Sequence, residues 1–318
     1  MRAGCDIRSD SHGPLQHHVG VDIGFALPVS GSWATPDNVV EIAETAERLG
    51  YTTLWTYQRL LYPEGTKLSS VYESVLDPVT VLGFAAAVTT RIRLGTAIVN
   101  LPFQSPAVLG KQFATLDVLS KGRLEAGLGL GWAQEEFTAA DAEYTRRGAR
   151  GDEFIAAIRA VWGPDPVEFD GDFYTIPRSK ILPKPVQRPH PPIFIGGIAK
   201  PALDRTGRLA DGWISSSGAD LSTLADPIER VKSAARAAGR DPDALRFVCR
   251  GIIRDTNRNG PLTGTPEQIR ADLPDLAAQG MTETFLDLNF DPTIGNPRAD
   301  PAQSMRRARE ILEGLAPA

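Results

Sequence analysis

Four histidines are available for metal or proton chemistry, and none is placed for it. His12, His17 and His18 fall in the first eighteen residues, and His190 is boxed into Pro189-His190-Pro191-Pro192. Histidine-liganded metal centres and Ser-His-Asp triads need that side chain on a core element, so neither is expected, and no metal is. Cys249 alternates with strand residues and reads as a small buried hydrophobe rather than a nucleophile. With only Cys5 besides, the cysteine usage fits a reducing, cytoplasmic compartment. No lysine ends a strand, which removes Schiff-base chemistry. Carboxylates at strand ends are too few for a multi-carboxylate magnesium site. Glu135 or Glu136 with Asp287 is the only pair that could be forced into a glycosidase role.

What remains at the strand ends positions ligands rather than reacting with them: Tyr57-Gln58-Arg59, Asn100, Gly129-Leu130-Gly131-Trp132, Gly196-Gly197, Ser215-Ser216-Ser217 and Arg250. Such a set suits a bound cofactor that carries the chemistry itself. Gly196-Gly197 precedes a helix, and the three serines leave the next strand. Glycine lets backbone N–H groups approach an anion, and a helix N-terminus adds favourable partial charge. The competing reading is a tight turn followed by a polar loop. Gly127, Gly129 and Gly131 alternate and so share one face of a strand. Three empty side-chain positions make room for something flat against that wall, or serve close packing. Arg59 is either an anion ligand or one half of a surface salt bridge.

The elements that must hold these groups alternate. Strands are predicted at Val21–Ala26, Thr53–Thr56, Ile92–Val99, Leu124–Leu128, Ile193–Ile195, Gly212–Ser215, Phe247–Ile253 and Thr284–Leu288. Between them run helices that open at Thr35-Pro36, Asp77-Pro78 and Ser105-Pro106, each a capping residue with proline at the first helical position. Further helices are predicted at Asp152–Trp162, Pro201–Leu209, Pro227–Ala238, Pro266–Gln279 and Ala302–Leu315. Eight strands separated by helices read as an α/β protein, a (β/α)8 TIM barrel with an insertion after strand 4. That insertion is a proline-rich excursion from Gly163 to Pro192. An open doubly wound sheet would want a glycine-rich phosphate loop after strand 1, where the chain has Leu27-Pro28-Val29-Ser30-Gly31. Residues 1–18 read as a disordered tail, and 19–318 as one barrel domain.

Composition narrows the partners. There are 34 basic and 39 acidic side chains, a net charge of -5, which argues against nucleic acid and anionic membrane. No apolar run approaches the roughly 20 residues of a membrane span. A small-molecule substrate is the expected partner, with a homodimer as the assembly to test.

In its motifs the sequence resembles the luciferase-like monooxygenase superfamily, and within it the deazaflavin (coenzyme F420)-dependent oxidoreductases. The resemblance rests on Gly50-Tyr51-Thr52-Thr53-Leu54-Trp55, Leu94-Gly95-Thr96, Leu116 to Arg123 with Gly127 to Trp132, Pro183-Lys184-Pro185, Pro191-Pro192-Ile193, Gly196-Gly197 and Ala210-Asp211-Gly212-Trp213. These cover most of residues 19–290. The resemblance implies a barrel whose mouth holds a tricyclic ring, often against a non-proline cis peptide in strand 3, here Ala97–Ile98. It places the ring by Ala97, Ile98, Asn100, Gly129, Leu130 and Gly131, and the phosphate near Gly196, Gly197, Ser215, Ser216 and Ser217. The implied activity is hydride transfer between F420 and a small organic substrate, and the alternative is an FMN-dependent monooxygenase. Arginine outnumbers lysine 27 to 7, as GC-rich coding produces, and this host signature favours F420. One departure matters. Deazaflavin sugar-phosphate dehydrogenases carry Asp-His after strand 2 and Glu after the strand 4 glycines, where this chain has Gln58-Arg59 and Trp132. Their acid/base pair is absent, so their substrate does not carry over, and Arg59 and Trp132 become the substrate-side candidates. The same absence keeps a non-catalytic cofactor carrier in view.

Overall fold

The computed structural model describes residues 21–254 and 257–317, and the segment read as a tail, with Cys5 and three of the histidines, lies outside them. The described chain begins with β1 (Asp22–Ala26), α1 (Pro36–Arg48), β2 (Thr53–Thr56) and α2 (Pro78–Val88). It continues through β3 (Arg93–Thr96), β4 (Val99–Asn100), α3 (Pro106–Leu119) and β5 (Leu124–Gly129). After β5 come α4 (Gln134–Ala139), α5 (Arg147–Trp162) and the antiparallel pair β6 (Val167–Asp170) and β7 (Thr175–Ser179). The rest is β8 (Ile193–Gly196), α6 (Lys200–Leu209), β9 (Gly212–Ile214), α7 (Ala225–Ala237), β10 (Arg246–Ile252), α8 (Pro266–Ala278), β11 (Glu283–Asp287) and α9 (Pro301–Gly314).

Capping explains where helices start. The side chains of Thr35, Asp77 and Ser105 accept the N–H of Asn38, Thr80 and Val108, and a proline follows each cap. Such a cap satisfies an N–H that the helix leaves orphaned, and proline there has no N–H to lose. Thr265 and Gln268 form a full capping box ahead of α8.

The sheet closes. Parallel pairing runs β3-β2-β1-β11-β10-β9-β8-β5, and β3 pairs back onto β5. Closure excludes the open doubly wound sheet and gives the expected eight-stranded parallel barrel, with β3 and β4 as two halves of its third strand. The expected strand Ile92–Val99 is interrupted at the Ala97–Ile98 peptide, which is cis. Two further differences lie in the insertion. α5 starts at Arg147, five residues before the expected Asp152, and the proline-rich excursion contains the β6–β7 hairpin. Glu153 on α5 ties that hairpin down by accepting the N–H groups of Asp172, Phe173 and Tyr174.

Two apolar cores result. The larger fills the space between barrel and helices. The smaller lies inside the barrel, where Trp55 stacks on Phe285 at 5.3 Å between ring centres and meets Phe194 edge-on at 6.1 Å, beneath Ala97, Ile98 and Ile214. Each large apolar side chain buried this way gains about 1.5–3 kcal/mol. The barrel interior is thus solid up to the mouth, and the free volume lies above Ile98.

Candidate functional site

The C-terminal ends of the strands surround a cavity of about 430 Å³, within the usual range of ligand sites of about 300–1,000 Å³. The eleven residues assigned to a cofactor from the sequence, Ala97 through Ser217, all line it, as do Arg59 and Trp132. Sequence reasoning missed several of its walls, among them Tyr72, Arg147 and Phe290, and named Glu136 only for a glycosidase pairing. Tyr72 sits in a long βα loop and Phe290 lies beyond the last strand, so no periodicity marked either. Gln58 is fixed structurally, its side chain accepting the Asn100 N–H at 2.8 Å.

The glycine wall differs from its expected form. A Cβ on Gly127 would overlap the carbonyl oxygen of Thr96, and the Thr96 hydroxyl both donates to the Gly127 carbonyl and accepts its N–H. Gly127 is therefore a packing glycine and does not line the cavity. Gly131 has a φ of +74°, so its missing Cβ points at Phe137 and Phe103. Of the three, Gly129 and Gly131 line the cavity, and at Gly129 Ile98 occupies the empty position. Gly196, from the neighbouring strand, receives the same Ile98 side chain, whose Cγ2 would lie 2.9 Å from a Cβ there. The two glycines seat Ile98, and the Ile98 side chain is the floor on which a flat ligand would rest.

On the opposite wall from β2, Gly197 leaves β8 with a φ of +130°, a conformation that favours glycine, and α6 begins at Lys200. The Gly197 carbonyl accepts the Trp213 indole N–H at 2.6 Å. The Ser215 hydroxyl accepts the Arg250 N–H at 2.9 Å and is buried, whereas Ser216 and Ser217 are half-buried with no side-chain bond among the described residues. Two free hydroxyls beside a helix N-terminus form a cradle that fits a phosphate.

Arg59 and Trp132, separate candidates in the sequence, are in contact. The Arg59 guanidinium lies 4.7 Å from the Trp132 ring centre and 5.1 Å from that of Tyr72. Its Nε donates to the Leu61 carbonyl at 3.1 Å and stands 3.4 Å from Glu136 Oε1, which accepts the Leu60 N–H at 2.7 Å. The side chain is only 4% exposed, so this is not the surface salt bridge of the competing reading. Arg250 reaches across from β10 and donates to the Ala97 carbonyl, with Asp287 Oδ2 3.4 Å from its Nε. Burial pushes the Asp287 carboxyl up, against the pull of Arg250 and of two hydrogen bonds from Asn289. Asp287 lies behind Arg250 and outside the cavity lining, which leaves the glycosidase pairing without its second carboxylate. Burial also pushes the Cys249 thiol up to about 12 and shields it from solvent, and His190 accepts from Arg159 Nε at 3.2 Å with its ring tilted 35° to that of Trp162.

A family profile described as luciferase-like monooxygenase matches residues 16–258. The chain belongs to this family. An FMNH2-dependent dimethylsulfone monooxygenase of Pseudomonas putida is 32% identical over 248 residues, covering 76% of this chain and 63% of that one, so the chain spans under two thirds of this relative's length. Among solved structures, a monooxygenase from Streptomyces bottropensis superposes with a TM-score of 0.75 at 24% identity, covering 93% of this chain and 98% of that chain. An F420-dependent secondary alcohol dehydrogenase in complex with an F420-acetone adduct gives 0.76 at 18% identity over 93% and 99%. These two likenesses show the shared fold. FMNH2 stands in the name of the first of these relatives and F420 in that of the dehydrogenase structure. No described helix is long and apolar enough to cross a membrane.

Proposed function

We propose that this luciferase-like protein binds reduced FMN in the barrel mouth and oxygenates a small organic substrate. The relative that is 32% identical and named for FMNH2 carries this choice, and it reverses the sequence expectation of F420 with FMN as the alternative. The residues present fit the group. Ile98, seated by Gly129 and Gly196, offers a flat apolar floor for a ring, and the α6 N-terminus with Ser216 and Ser217 offers donors for a phosphate. Reduced flavin supplies the electrons for activating dioxygen, and the protein supplies position and dryness. In that division of labour Arg250 fixes the Ala97 carbonyl at the edge of the floor. Tyr57, whose phenol burial holds protonated well above its ordinary range, lines the same wall.

F420-dependent hydride transfer is the second reading. The same floor and cradle would serve it, while Gln58-Arg59 and Trp132 in place of an acid/base set speak against alcohol oxidation. Titrating the purified chain with FMN, photoreduced FMN and F420 under anaerobic conditions decides between them. Tighter binding of reduced FMN than of F420, followed on admitting air by dioxygen consumption coupled to substrate loss, is the expected result. Tight F420 binding without FMN affinity reverses the assignment. Binding without turnover across a substrate panel favours a cofactor carrier.

A further inference from the structure

We infer that Arg59 anchors an organic oxyanion, so that the substrate is a carboxylate or sulfonate with an apolar body. This rests on the mouth being the flavin and substrate site. The anchor is built from its surroundings inward. A guanidinium has five N–H donors in a rigid fork suited to a carboxylate or sulfonate. Among the described residues Arg59 uses one of them in a hydrogen bond, Nε to the Leu61 carbonyl. Its Nη2 is buried and has no partner among the described residues. A buried donor left unmade is costly, more so when charged, and at the wall of a cavity a ligand acceptor relieves that cost.

Neighbouring charge agrees. Among the described residues, the charged side chains that line the cavity are Arg59, Arg147 and Arg250 against Glu136, although the whole chain carries a net charge of -5. Glu136 sits on the Nε side of Arg59 and is itself held by the Leu60 N–H, so it orients the guanidinium without occupying the fork. The Tyr72 and Trp132 rings, in edge contact with each other at 6.5 Å, pack against it from adjacent sides and leave the rest of the guanidinium uncovered by them. Trp132 is itself 57% exposed.

Position separates this anion from the cofactor's phosphate. Arg59 follows β2 and the serine cradle follows β9, four strands apart in an eight-stranded barrel and so on opposite walls. A ring lying on Ile98 between them leaves the Arg59 wall to a second molecule.

Isothermal titration calorimetry of the full chain tests this with matched probes, hexanoate and hexanesulfonate against hexanamide and hexyl methyl sulfone. The anions are expected to bind about tenfold or more tightly than the neutral probes. That preference should disappear in Arg59→Gln, survive in part in Arg59→Lys, and leave FMN affinity unchanged in both. No anion preference in the native chain, or full preference in Arg59→Gln, overturns the inference. So does loss of F420 affinity in Arg59→Gln with the hexanoate preference intact, because Arg59 would then hold that coenzyme's carboxylate tail. Should Arg59→Gln lack native circular dichroism, Arg59→Lys is read instead. Reduced anion affinity there supports the anchor, and unchanged affinity overturns it. If the native chain binds neither FMN nor F420, the cofactor reading fails on its own, while the anion comparison still decides the role of Arg59.

Discussion

At the scale of single residues, three alternating glycines show how far a sequence pattern carries. Their spacing announced one emptied strand face beside the site, whereas Gly127 packs below the cavity lining and Gly131 lies past the strand end in the left-handed region. What fills each gap depends on neighbours from other strands, which spacing along one strand cannot reveal: a carbonyl at Gly127, Ile98 at Gly129, two phenylalanines at Gly131. The consequences separate by atom type. A Cβ on Gly127 meets backbone that cannot retreat, so Gly127→Ala should lose about 3 kcal/mol or more, read as a fall in thermal midpoint. A Cβ on Gly129 meets the far methyl of Ile98, which can rotate away, so Gly129→Ala should stay folded. With its floor disturbed, its FMN affinity should drop about tenfold, measured by fluorescence titration. Equal stability loss in the two variants would make both packing glycines and move the ligand floor elsewhere. Arg59 and Trp132 were legible as candidates because each follows the end of a barrel strand, but their contact was not, because it is built with Tyr72 from the β2–α2 connection and Glu136 from α4.

Elements with strong local signals matched the sequence closely, and those held by distant partners did not. The capped, proline-started helices α1, α2 and α3 begin where their caps say. The β6–β7 hairpin is short, mostly exposed and contains Pro177, so neither alternation nor propensity announces it, and Glu153 on another element secures it. Glu47, near the end of α1, does similar work for the entry to β3. Its carboxylate accepts the N–H groups of Thr90, Arg91 and Ile92 and the Thr90 hydroxyl. Burial pushes this carboxyl up, but those hydrogen bonds outweigh it and bring it from 4.5 down to about 2. A group depressed on folding stabilises above its unfolded value and loses that contribution as pH falls through the folded one. The Glu47 contribution should therefore be complete above about pH 4.5 and vanish toward pH 2. Glu47→Gln should melt lower than the native chain at neutral pH, and the gap should close through that window in acid-titrated calorimetry. A gap independent of pH would mean that the amide replaces the lost ladder poorly for steric reasons alone.

The whole molecule has two unlike ends. The mouth is open and cationic, whereas the floor of the barrel is sealed by charges paired with each other. Glu125 and Glu283, both buried, face Arg93 and Arg246, with Arg93 3.0 Å from Glu125 and 3.1 Å from Glu283, and Arg246 2.9 Å from Glu283. Burial pushes both carboxyls up. Arg246 and Arg93 pull Glu125 below its ordinary value, whereas Glu283, despite Arg93, stays raised beside the Glu125 charge. None of this was legible in the sequence, since each residue is an ordinary charge near the start of its own strand and the partners meet only when the barrel closes. Removing one member of a buried network leaves its partners desolvated and unpaired, which costs about 3–5 kcal/mol. Arg246→Met should lose that much by denaturant titration. Arg309→Met, which breaks the exposed pair with Glu41, should lose about 0–1 kcal/mol. Similar losses in the two would show that water reaches the floor and that its charges are not desolvated. Because Arg246 lies at the far end of β10 from the mouth, with the Trp55–Phe285–Phe194 layer between, Arg246→Met should keep native FMN affinity at temperatures below its own melting. A parallel loss of affinity would mean that the aromatic layer transmits the disturbance to the Ile98 floor instead of isolating it.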